Sequence, residues 1–148
     1  MNDGVCHVTQ EFDPWVNNWL AEMSANEMGD FGRAVATAAI LGAAADLMAA
    51  DPERIARLAN SHGKESRKLA RHLTENAAAA RQWLRAGLDW SWPDNSSGIP
   101  LTLQRCCLWL SLESPLVARA ILSDPEGVIE RASREGLPGA IRASRQAA

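Results

Sequence analysis

Apolar side chains recur along this chain at three- and four-residue intervals, the repeat of a helix that turns one face to a core. No period-two run of β-branched residues stands beside them, so no strand is expected. From Pro14 the set Val16, Trp19, Leu20 and Met23 has helical spacing and runs to the Gly29 to Gly32 punctuation. Arg33 to Ala49 is apolar nearly all round, which predicts a central helix. A short helix from Pro52 to about Ser61 should stop at Gly63. Lys64 to Ala86 is the clearest amphipathic stretch: Leu69, Leu73, Ala77, Ala80 and Leu84 form one face, and Lys64, Arg67, Lys68 and Arg71 the opposite one. After the long loop Gly87 to Pro100, helices are expected at about Leu101 to Leu112, Pro115 to Leu122, Pro125 to Glu135 and Pro138 to Ser144.

The boundaries are legible because Asp or Ser followed by Pro recurs, at Asp13-Pro14, Asp51-Pro52, Ser114-Pro115 and Asp124-Pro125. The first side chain can accept from a free amide of the first turn, and proline there lacks only an amide that would be unpaired anyway. The expectation is an all-α single domain over residues 1–148, an irregular bundle or a short HEAT-like stack of α-hairpins with about seven to eight helices. DPERIARLANSHG, Asp51 to Gly63, can be laid on DPEGVIERASREG, Asp124 to Gly136. Either a pseudo-repeat, with halves about 31–86 and 101–146, or generic helix punctuation explains the match.

The same stretch decides how to read IARLANSHGKESRKLARHL, which has the outline of a helix-turn-helix. Its two signature positions, Ala59 and Gly63, recur as Ala132 and Gly136, where no basic helix follows. Charge keeps a nucleic-acid reading alive: residues 51–85 hold four acids and eight bases, a net +4 in a chain of net −3. Three outcomes fit this basic face, namely contact with phosphate, with an acidic protein surface, or with solvent alone.

At 148 residues, 47% hydrophobic and 22% charged, the composition is that of one globular domain rather than a disordered chain. Met1 to Gly4 shows no basic region leading to an apolar one, and Ala34 to Ala45 is too short for a bilayer, so a cytoplasmic protein without membrane contact is expected. Cys6, Cys106 and Cys107 are an odd count, and the adjacent pair reads as reduced core filling. Neither C-x-x-C nor H-E-x-x-H occurs, so no metal and no cofactor are expected, and no catalytic constellation is recognisable. Glu22, Glu27 and Asp30 read as a solvated acidic cluster.

Tryptophan supplies most of the large aromatic surface, with six Trp, two Phe and no Tyr. Trp15, Trp19, Trp83 and Trp109 fall within helical patterns and read as core. Trp90 and Trp92 sit in the long loop beside Pro93, where they either seal the end of the bundle or face a partner. The segment Ala80 to Asp124, about a third of the chain, resembles an uncharacterised family of small bacterial helical proteins, some encoded beside type VI secretion genes. In that family a Trp-bearing helix leads to a WSGGS-like loop and then a Pro-containing turn; here Trp90-Ser91 is followed by Trp92-Pro93 instead of glycines. The resemblance implies an accessory or interaction protein and no catalytic residue. The expected function is therefore non-enzymatic binding of another protein, with homo-oligomer formation open and a nucleic-acid-binding regulator as the rival.

Overall fold

The computed structural model describes residues 25–89 and 101–147. The helix expected from Pro14, together with Trp15, Trp19, Trp90 and Trp92, lies outside the described residues. Seven helices and no strand occur among the described residues: α1 (Ala25–Ala49), α2 (Pro52–Ala59), α3 (Lys64–Ala86), α4 (Leu103–Leu110), α5 (Ser114–Ser123), α6 (Pro125–Glu135) and α7 (Leu137–Ala147). The all-α expectation holds.

α1 is the hub, packed on α3, α4 and α6. Its inner face, Ala36, Ala39, Ile40, Ala43 and Ala44, is buried, and α3 answers with the buried Ala70, Ala77, Ala80 and Leu84. Ile40 and Leu84 are the largest fully buried side chains that α1 and α3 contribute to the common core, which takes in Ala80 of α3 but not Ala70 or Ala77. The second half closes the core with Leu101, Leu103, Val117, Ile121, Val128 and Ile141. By length and composition alone, Gly29–Ala49 could cross a membrane, with a mean hydropathy of 1.3 in its most apolar window. A core helix made of Ala, Ile and Leu has that same composition.

Capping follows the sequence at two of the described Pro sites. Asp51 accepts from the Arg54 amide at 3.0 Å and Asp124 from the Gly127 amide at 3.0 Å, each with Pro at the helix start. Ser114 departs from this pattern. It lies inside α5, the cap position belongs to Glu113, and its hydroxyl donates to Gly87 O at 2.7 Å. Being fully buried, Ser114 is drawn to a carbonyl across the core that would otherwise go unsatisfied.

Three further readings are corrected. Gly63 does not end α2, which stops at Ala59 with Asn60 as its cap; Gly63 is extended (φ −75°, ψ 128°) and precedes the first turn of α3. Leu69 is 40% exposed and Ala70 takes its place on the buried face. At 100° per residue Leu69 drifts to the edge of a face centred on Ala70, Leu73, Ala77 and Leu84. The break near Gly29 is a kink inside α1 (φ 55°, ψ −137°), with Gly32 helical and buried beyond it.

Candidate functional site

The two sets of candidate residues fall on different parts of the fold. Trp90 and Trp92 belong to the segment 90–100, outside the described residues, but both ends of that segment are described. Gln104, near the start of α4, is buried, and its Nε2 donates to Ala86 O at 2.7 Å and to Asp89 O at 2.9 Å. Ser114 holds Gly87 O, and Trp83 Nε1 donates to Leu101 O at 3.1 Å. Thr102 accepts from the Arg105 amide and starts α4. Four side-chain bonds from α3, α4 and α5 therefore fix the outgoing stretch of chain at residues 86–89 and the returning one at Leu101.

Packing fixes the same place. A Cβ on Gly87 would stand 2.3 Å from Leu103 Cδ2 and 3.0 Å from Leu103 Cβ, and Leu103 is itself buried. The base of the loop thus admits no side chain at residue 87 without displacing core. Leu88, next to it, is 40% exposed. The combination is a hydrogen-bonded base, buried at Gly87 and Gln104, with the exposed apolar side chain of Leu88 at its rim.

The basic face has a different character. Lys64, Arg67, Lys68 and Arg71 are all exposed on the first two turns of α3, on the side away from the buried alanines. None of the four forms an ion pair among the described residues. Arg67 also serves the fold itself, since its Nη1 donates to Ser61 O at 3.0 Å and closes the turn after α2. Lys64, Lys68 and Arg71 remain as cations presented to solvent. The helix-turn-helix outline maps onto α2 and α3, but α2 has no buried residue and rests mainly on α3 through half-buried Ile55 and Leu58.

Chemistry is sparse elsewhere. Cys106 and Cys107 are buried free thiols in α4. Burial pushes the Cys107 thiol up to about 12, and burial, with the neighbouring Cys107 adding to it, raises Cys106 as well. A thiol held so far above neutrality is a poor nucleophile and a poor metal ligand. Among the described residues no group of three or more His, Cys, Asp or Glu side chains is placed to hold a metal ion. Asp30 is exposed and pairs with Arg33 one turn on, as a solvated surface carboxylate would.

Sequence reading misses Gln104 and Ser114, the residues that hold the loop base. Gln104 carries a weak signal, the one amide in the mostly apolar run Leu101 to Leu110, where Thr102 and Arg105 are the other polar positions. Ser114 is masked by the Pro after it, which suggests a cap. No family model, no curated protein and no solved structure matches the chain.

Proposed function

We propose that this chain is a small non-enzymatic protein-interaction domain of accessory or adaptor type, and that the loop between α3 and α4 is its contact element. The observation that carries the proposal is the fourfold hydrogen-bonded base of that loop, formed by Gln104, Ser114 and Trp83 on backbone carbonyls. Holding both ends of a loop rigid reduces the entropy lost when its side chains meet a partner. Tryptophan is the side chain that gains most from such pre-organisation, being large and carrying a polar handle. Trp90 and Trp92 are the anchors proposed, and an accessory role beside a type VI secretion apparatus is the setting that fits the resemblance of Ala80 to Asp124.

The test is cross-linking capture in the native host with the wild-type chain and with Trp92→Ala. Partners recovered with the wild type and depleted at least about tenfold by the variant, a loss of about 1.4 kcal/mol, would support it. An identical partner set from both would contradict it. A second reading, nucleic-acid binding, is favoured by one observation: Lys64, Lys68 and Arg71 share an exposed face without acidic partners among the described residues. It requires binding that falls steeply with salt.

A further inference from the structure

α2 and α6 start on the same signal, Asp-Pro-Glu with the Asp accepting from the amide three residues on, yet the two helices are anchored in opposite ways. α6 buries Val128 completely, sets Ile129 and Ala132 against the common core, and packs on α1, α5 and α7. α2 buries no residue at all. Its inward side chains, Ile55 and Leu58, are only half-buried, rest mainly on α3, and do not belong to the common core.

Polar contacts do not make up the difference. The Asp51 cap, the bond from the Ile55 amide to Asp51 O at 2.9 Å and that from the Asn60 amide to Ala56 O at 3.0 Å all close within α2 and its own cap residues. Glu53, Arg54 and Arg57 are exposed and form no ion pair among the described residues. One side-chain bond joins the end of this element to α3, from Arg67 Nη1 to Ser61 O at 3.0 Å. With 8 residues α2 is well below the roughly 12 to 15 that an isolated helix needs in water, so it is helical only while docked. Undocking and melting are then one event.

We propose that α2 is a strap that opens as a unit from an otherwise folded bundle, with Arg67 as its latch. The free energy of a local opening is set by the buried contacts it gives up, and here these are two half-buried side chains and one exposed hydrogen bond. The rest of the bundle does not depend on them, because α1 and α3 pack on each other directly. Opening frees Ile55 and Leu58 from α3 and releases the Arg67 guanidinium with them. The latch is thus one of the cations of the basic face, and the state of the strap decides whether that face presents Arg67 beside Lys64, Lys68 and Arg71.

Hydrogen exchange on the full chain tests the proposal, with α6 as the internal control. The amides of residues 55–60 should be at least about tenfold less protected than those of residues 129–135, and their protection factors should lie within about threefold of one another, as a single cooperative opening requires. Arg67→Ala should lower the protection of residues 55–60 by a further factor of about three to ten, the loss of one exposed hydrogen bond, while α1, α6 and residues 71–84 keep theirs. Protection of α2 equal to that of α6 would overturn the strap. So would protection graded from the middle of α2 to its ends, which is fraying and not opening as a unit. Protection of residues 55–60 unchanged by Arg67→Ala would overturn the latch.

Discussion

Ser111 adopts φ 56° and ψ 43°, the left-handed region, directly after α4. The chain accepts this because the turn satisfies two carbonyls: the Leu112 amide donates to Cys107 O at 2.8 Å and the Ser111 amide to Leu108 O at 3.3 Å. Glycine is the residue that such a position favours, so Ser111→Gly should raise stability by about 0.5 to 1 kcal/mol, the relief of strain outweighing the added freedom of the unfolded chain. Gly136, at φ 83° and ψ 162°, is the converse. There alanine has no relaxed conformation, and Gly136→Ala should cost of the order of 1 to 3 kcal/mol in urea unfolding. Equal and small effects at both sites would show that these turns are not held as described. The buried thiols give a pH dependence. The folded state keeps Cys107 protonated up to about 12, whereas an unfolded thiol ionises near its ordinary 9.0. Between those values the unfolded state binds fewer protons, so stability falls as pH rises through that window and is unaffected below it. The urea midpoint should drop from pH 9 towards 12 more steeply in the wild type than in Cys107→Ala; parallel curves would refute it.

At the scale of the helices, Asp51 and Asp124 cap as their Asp-Pro pairs predict, and the spans Lys64–Ala86 and Pro125–Glu135 agree with the periodicity. Local rules suffice there, because a cap and a periodic face are settled within a few residues. Ser114 and Gln104 are hidden in the sequence because their partners, Gly87 O and the carbonyls of Ala86 and Asp89, lie 15 to 27 residues away. Leu69 is misplaced for a related reason: which edge of an apolar face is buried depends on the angle at which α1 lies across α3. Of the candidate site, the basic face is readable from its spacing, whereas the loop base is not. Removing Ser114's hydroxyl leaves Gly87 O buried without its donor, so Ser114→Ala should cost about 1 to 3 kcal/mol by urea unfolding. A change near zero would mean the loop base is not held by this bond. On the opposite side of α3, Lys68→Glu with Arg71→Glu should leave the melting temperature nearly unchanged, since both side chains are exposed and neither has an ion-pair partner among the described residues. Arg67 is left out of that pair because it closes the turn at Ser61. Selective DNA binding near physiological salt, lost in the double variant, would replace the protein-interaction reading with the nucleic-acid one.

For the whole molecule, an alanine-rich hub helix draws three others around it, and the elements on its inner side share one apolar core. Among the described residues, the connection between α3 and α4 has a hydrogen-bonded base at residues 86–89 and Leu101, on either side of the segment that carries Trp90 and Trp92. The proposal made for this loop gives its two tryptophans different roles, Trp90 in fold stability and Trp92, next to Pro93 in the sequence, in partner contact. The most direct measurement is the thermal melt of Trp90→Ala and Trp92→Ala, each paired with capture of the partner recovered by the wild type. A buried Trp→Ala change costs about 3 to 5 kcal/mol and an exposed one little. Trp90→Ala should therefore lower the melting temperature clearly, while Trp92→Ala should melt like the wild type and lose the partner; equal destabilisation by both would make the loop a plug on the bundle and contradict its role as a contact element.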